Sequence, residues 1–262
     1  MPLHHDAARQ AELWDRWGEE HSQLYADRDP AAAVSFLCEL AGNGSALDLG
    51  AGTGRVAAPL AGAGVPVVAL DVSPVLVRRL RASTAGLPVT VVEADMAEYC
   101  NGSFTLIYAA HSSFFHITDQ KRQVACMANV ARMLAPGGAF VLSCFMPSPE
   151  LLAHPNGLTL RGLTDESVEI RATTVDRITQ TIVYREMSVR AGGIRTLPVE
   201  QRFCWPSELD LMAQLGGMSL SGRFSDFALS PFRSSDDRHV SVYRKTEDDG
   251  SARRPSRPVQ PS

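Results

Sequence analysis

What this chain lacks narrows it before any motif is read. Among 262 residues there are five cysteines (Cys38, Cys100, Cys126, Cys144 and Cys204), scattered and with no Cys-x-x-Cys pair. An odd, dispersed set argues against a disulfide framework or a zinc site, and points to a reducing compartment, the cytoplasm. Residues 1–30 contain no apolar core of the secretory kind, and no apolar run approaches membrane-spanning length, so no membrane partner is expected. Net charge is only −4, which gives no basic field to draw nucleic acid or anionic lipid. Hydrophobic residues make up 45% of the chain, enough for a sizeable core in a soluble intracellular protein.

What is present has an order. Leu13, Trp14, Trp17, Leu24 and Tyr25 recur near helical spacing, predicting a helix over about 7–25. A second helix runs over about 30–41, from Pro30 to Gly42. Apolar strands follow at 46–49, 65–71, 89–95, 104–110 and 139–145. Helices separate them, at about 55–61, at 73–83 with Ser73 as N-cap, and from Thr118 to about Leu134. This alternation implies right-handed crossovers and a parallel sheet covered on both faces, with ligands at the carboxyl ends of the strands. After residue 150 the texture becomes strand-like and alternating, with "AGG" (191–193) as a hairpin turn. A helix over 207–217, N-capped by Ser207, and two last strands then rejoin the sheet, and the polar tail from about 247 lacks an apolar anchor.

The stretch "ALDLGAGTGR" (46–55) puts glycines at 50, 52 and 54 directly after a strand. By itself this reads as a tight strand-to-helix connection, a pyrophosphate cradle, or a bed for another adenosine-containing ligand. The dinucleotide fingerprint places its third glycine where Arg55 stands here. Asp71, at the end of the second strand, suits ribose hydroxyls in either ligand reading, or else caps the next helix. Asp95, at the end of the third, is followed by Met96, a pair that suits an adenine amine and ring face, although a solvated loop acid is the plainer alternative. Asp48 is placed to meet positive charge on a ligand.

Taken in order, "LDLGAGTG", "VVALDVS", "VVEADM", "FTLIYAAHSSFFHI" and "LAPGGAFVLSCF" resemble the motifs of class I S-adenosylmethionine-dependent methyltransferases over about residues 45–146. The segment "EQRFCWPSELDLMAQLGGMSL" and its sequel is similar to an actinomycete subgroup that modifies small natural products. The resemblance implies a seven-stranded Rossmann-like α/β fold with an antiparallel β insertion before the last helix. The divisions expected are a helical lid (1–44), a core (45–157 and 205–246), the insertion (158–204) over the active-site mouth, and a disordered tail (247–262). It implies S-adenosylmethionine as donor and S-adenosylhomocysteine as product. Gly50, Ala51, Gly52 and Gly54 would lie at the methionine moiety, Asp71 and Val72 at the ribose, Asp95 and Met96 at the adenine, and Ala110 and His111 at the methionine end. Tyr25 is the tyrosine expected to close over the cofactor.

Other absences bear on the methyl acceptor. "YAAHSSF" holds none of the Asp/Asn-Pro-Pro-aromatic tetrad by which relatives methylate nucleic-acid bases. No acid lies between Glu98 and Asp119 to hold magnesium, and neither Cys100 nor Cys126 is placed as a nucleophile. A small-molecule or short-peptide acceptor remains, methylated on nitrogen or oxygen. His111 and His116 are the candidate bases, each with a plainer reading as a loop histidine bonded to backbone. Of Phe114 and Phe115, one ring is expected inward. Trp14 and Trp17 read as core anchors ahead of substrate platforms, and Arg185, Arg190, Arg195 and Arg202 as solvated positions ahead of a site for an anionic acceptor. Edge strands of the insertion can pair two copies into a homodimer. The alternatives are a nicotinamide-dependent oxidoreductase, disfavoured by Arg55 and Asp95, and a non-catalytic protein that kept the fold.

Overall fold

The computed structural model describes residues 5–18 and 29–245; Tyr25 and the tail expected from 247 onward lie outside the described residues. Helix α1 (His5–Trp17) is followed by α2 (Ala31–Ala41) and then by the alternating unit. That unit comprises β1 (Ala46–Leu49), α3 (Ala57–Gly62), β2 (Val67–Asp71), α4 (Pro74–Ser83), β3 (Val89–Glu93) and β4 (Phe104–Ala109). It continues through a 3-10 turn (Ser113–His116), α5 (Gln120–Met133) and β5 (Leu134–Phe145). After α6 (Pro149–Ala153) come β6 (Asn156–Leu163), β7 (Ser167–Asp176), β8 (Thr181–Arg190) and β9 (Gly193–Arg202). Helix α7 (Pro206–Leu215) and strands β10 (Met218–Phe224) and β11 (Arg238–Lys245) complete the order.

Seven strands form one sheet in the order β10-β11-β5-β4-β1-β2-β3. Strands β1 to β5 pair in parallel, whereas β11 runs antiparallel to β5 and β10. The strand order reverses at β1, which has β2 on one side and β4 on the other. A crevice opens at such a switch point, beyond the carboxyl ends of the strands. Alternation along β1 divides its side chains between two layers. Leu47 and Leu49 join α5, α7 and the 3-10 turn, and Ala46 joins α2 and α3. Asp48, on the Ala46 side, is the polar exception in a strand buried throughout.

Local chemistry explains the helix starts, with two departures from expectation. Ser73 caps α4 by accepting from Leu76 N, with Pro74 in the first turn. Helix α5 is capped by Asp119, not opened by Thr118; the Thr118 hydroxyl bonds Asp6 of α1 instead. Helix α7 begins at Pro206 after Trp205, so Ser207 lies inside it and is not its cap. A second sheet, in the order β6-β7-β8-β9, is antiparallel throughout, and its β8–β9 hairpin turns at Ala191 and Gly192. This sheet is tied to α1: the Trp17 indole donates to Pro198 O at 3.0 Å, and Arg9 pairs with Glu200 at 2.7 Å.

Candidate active site

The carboxyl ends of β1 to β4 open into a cavity of about 890 Å³, roofed by Asp6, Ala7, Gln10 and Trp14 of α1. Its floor is the glycine turn. Gly50, Gly52 and Gly54 all have positive φ (76°, 59° and 89°). A Cβ on Gly50 would stand 2.9 Å from Ser113 Cβ and 3.0 Å from Met96 Cε, so a side chain there would displace cavity walls. A Cβ on Gly54 would instead meet Leu80 Cδ1 at 2.8 Å and Ser83 Oγ at 2.9 Å. Gly54 therefore lets the turn pack on α4, the task of the third glycine in the dinucleotide pattern, performed one position before Arg55.

Asp71 holds the turn in place. Its Oδ2 accepts from Gly52 N at 2.8 Å and its Oδ1 from Ser73 N at 2.9 Å. Burial raises its pKa to about 6, against the lowering effect of those backbone donors. Asp48 is buried more completely; burial raises its pKa to about 7, partly offset by the Tyr108 hydroxyl, which donates to it at 2.9 Å. Tyr108 escaped the sequence reading because an aromatic in an apolar strand reads as core, yet its register opposite Asp48 makes the pair. Asp95 is buried, with Oδ1 accepting from Ala97 N at 2.9 Å and Oδ2 paired with Arg122. Arg122 also reaches Asp6 at 2.5 Å. Neither Arg122 nor Asp6 figured among the sequence candidates, because nothing local marks a helix arginine as spanning two acids.

The cavity thus gathers Asp48, Gly50, Ala51, Gly52, Gly54, Asp71, Val72, Asp95, Met96, Ala110, His111 and His116. The two histidines differ. His111 and Ser112 both occupy the left-handed region (φ 53° and 65°), an uncommon conformation that two consecutive non-glycine residues keep only when the surroundings impose it. Ser112 supplies the restraint: its N–H donates to Ser143 O at 2.7 Å and its hydroxyl accepts from Phe145 N at 3.0 Å. His116 has both ring nitrogens engaged, Nδ1 with Glu200 O at 3.1 Å and Nε2 with the Gln201 amide at 3.2 Å. An amide N–H on Nε2 makes that nitrogen the acceptor, so Nδ1 carries the proton. Trp14 packs edge-on against this ring at 4.8 Å, lining the cavity, while Trp17 is buried as an anchor. Phe114 and Phe115 are both buried, where one inward ring was expected. Arg202 also departs from expectation: it is buried, bonded to Gln123 at 2.6 Å and Glu208 at 2.7 Å. Gln10 is buried among these groups, and its amide oxygen has no hydrogen-bond partner among the described residues.

These residues fit an adenosylated sulfonium ligand. Asp71 ends β2, Asp95 follows β3 by two residues, Asp48 lies buried beneath the turn, and the bare Gly50 and Gly54 let that turn pack tightly against the cavity wall and α4. Fold and site together define a class I methyltransferase. The methyltransferase-domain family model matches residues 46–138. The structure of the CcbJ methyltransferase from Streptomyces caelestis superposes with a TM-score of 0.81 at 33% identity, covering 88% of this chain and 98% of that one. The cypemycin N-terminal methyltransferase of a Streptomyces species is 29% identical over 188 residues, 71% of this chain and 77% of that protein. SAM-bound CalS10, an amino pentose methyltransferase from Micromonospora echinaspora, shares the fold at TM-score 0.61 and 19% identity, with 94% and 99% covered. The chain belongs to the S-adenosylmethionine-dependent methyltransferases, similar to those of actinomycete natural-product pathways, with S-adenosylmethionine as cofactor and S-adenosylhomocysteine as product. The nicotinamide and non-catalytic alternatives give way to this assignment. No helix among the described residues is long and apolar enough to cross a membrane.

Proposed function

We propose that the protein methylates an amine nitrogen of a small molecule or short peptide. The observation that carries this reading is the continuity of the cofactor cradle with a compartment walled by Gln10, Trp14, His111 and His116 in one cavity. The 29%-identical relative is named for N-terminal methylation, which supports nitrogen over oxygen.

The sulfonium donor brings an already activated methyl group, so the protein has to align, exclude water and remove a proton. In this reading Asp95 and Met96 take the adenine, Asp71 and Val72 the ribose, and Gly50 to Gly54 the methionine moiety, with ionised Asp48 facing its ammonium. His111, held in its strained loop, accepts the acceptor's proton. His116, committed at both nitrogens, secures the roof and is not the base. The acceptor is neither nucleic acid nor lipid, and the cysteines, all free, suit a reducing cytoplasm. Exposed Leu158, Leu160 and Leu163 of edge strand β6, with Ile194, support pairing of two copies, which light scattering of the purified chain tests.

The test of the acceptor class is transfer of labelled methyl from S-adenosylmethionine to a panel of amino sugars, free-amine peptides and matched compounds with hydroxyls in place of the amine. Label on the amines supports the reading. Label confined to the hydroxyl compounds overturns it.

A further inference from the structure

Two aspartates of α1 reach Asp95 and Asp71, two acids of the cradle, each through one intermediary. Asp6 Oδ2 accepts from Arg122 Nη1 at 2.5 Å, and Arg122 Nη2 donates to Asp95 Oδ2. Thr118 donates its hydroxyl to the other oxygen of Asp6. Asp15 Oδ1 accepts from Ser73 Oγ at 2.6 Å and from Val75 N at 3.2 Å, while Ser73 N donates to Asp71 Oδ1 at 2.9 Å. At 100° per residue the two aspartates project from opposite sides of α1, so the helix bridges the N-terminal ends of α5 and α4. Side-chain exposure is 11% for both Arg122 and Asp6 and 7% for Asp95, so these charge-assisted bonds are little weakened by water.

We propose that Asp6 and Asp15 are positioning residues for the cofactor, Asp6 acting through Arg122 on Asp95 and Asp15 through Ser73 on Asp71. This rests on the reading that Asp95 takes the adenine and Asp71 the ribose. An ionised carboxylate offers about four acceptor sites. Held between Asp6 and Asp95, with Glu98 a looser third partner 3.9 Å from Nη2, Arg122 gives Asp95 one nitrogen, and with Ala97 N on the other oxygen the carboxylate keeps capacity for an adenine amine. Without Asp6, the guanidinium is free to turn its second nitrogen to Asp95 as a bidentate partner and consume that capacity. On the other arm, Asp15 fixes the hydroxyl and first turn of α4 from which Ser73 N–H aims at Asp71. Docking of α1 and recognition of adenosine are then one linked event, each favouring the other by the same factor.

The experiment compares affinities for S-adenosylhomocysteine, its inosyl counterpart (6-oxo in place of the 6-amino group) and an analogue lacking both ribose hydroxyls. Calorimetry is run on the wild type, Asp6→Asn, Asp15→Asn, Asp95→Asn and Asp71→Asn. Asp6→Asn should narrow the adenosyl-over-inosyl preference about threefold to tenfold and leave the ribose preference unchanged; Asp15→Asn should do the reverse. A purely structural role would lower all affinities by one factor and move neither ratio. The proposal is overturned if Asp6→Asn and Asp15→Asn behave that way while Asp95→Asn and Asp71→Asn change their own ratios. If those two change neither ratio, the placement of adenine and ribose fails, and the proposal with it. Should Asp6→Asn not fold, Arg122→Lys, which lacks the two-nitrogen fork, reads the same adenine ratio.

Discussion

Asp48 and Tyr108 stand opposite one another on adjacent parallel strands and share a buried 2.9 Å hydrogen bond at the point where the strand order reverses. Burial raises the Asp48 pKa to about 7 from 3.8, so folding takes up a proton that the unfolded chain releases between those values. Stability of the cofactor-free protein therefore falls as pH rises through this window and levels off above it. Asp71, raised to about 6, adds to the fall in its lower part. Asp48→Asn removes one contribution. Its melting temperature should match the wild type near pH 4 and exceed it by on the order of 5 °C at pH 8. Calorimetric scans showing the same difference at both pH values would contradict this.

Tyr108→Phe deletes the donor that steadies ionised Asp48, and so raises its pKa further. If the ionised form meets the ammonium of the cofactor, the variant should bind S-adenosylhomocysteine more weakly. The gap should widen toward about tenfold as pH is lowered from 8 to 6. Equal affinities across that range would separate the pair from binding.

His111→Gln and His116→Gln should part company. The first should lose about a hundredfold or more in kcat, with S-adenosylhomocysteine affinity held. The second loses the ring's bonds to Glu200 and Gln201 and should lower the melting temperature more than kcat. The reverse pattern would exchange their roles.

Gly50→Ala and Gly54→Ala test the two tasks of the turn. Both impose a positive φ on alanine, and that strain costs about 1–2 kcal/mol of stability. Gly54→Ala also drives a methyl into Leu80 and Ser83 and should destabilise the protein more. Gly50→Ala displaces Met96 and Ser113 at the cavity wall, so its larger effect should be on cofactor affinity. Thermal scans and calorimetric titrations of the pair separate these outcomes.

Much of the scaffold is legible because local signals agree with the fold. Ser73 caps its helix with Pro74 behind it, and the order of motifs places Asp71 at the end of β2 and Asp95 just past β3, which ends at Glu93 and not at Asp95 as its apolar run predicts. The α7 cap is misread because Ser207 is a good cap by composition, whereas Pro206 fixes the first turn one residue earlier. What the sequence hides is contact between distant segments. Arg202 looks like one of several alternating basic residues until Gln123 and Glu208 enclose it. His111 and His116 look equivalent, and only the fold of β9 against the 3-10 turn supplies the two partners that occupy His116. Arg122 between Asp6 and Asp95 joins residues 116 and 27 positions apart, which no periodicity encodes.

The most direct measurement is the crystallographic difference density of the S-adenosylhomocysteine complex. The account predicts the adenine amine within hydrogen-bond distance of Asp95, the ribose hydroxyls on Asp71, and the homocysteine along Gly50 to Gly54 with its ammonium toward Asp48. Density placing the ribose or the adenine away from these two carboxylates would contradict it.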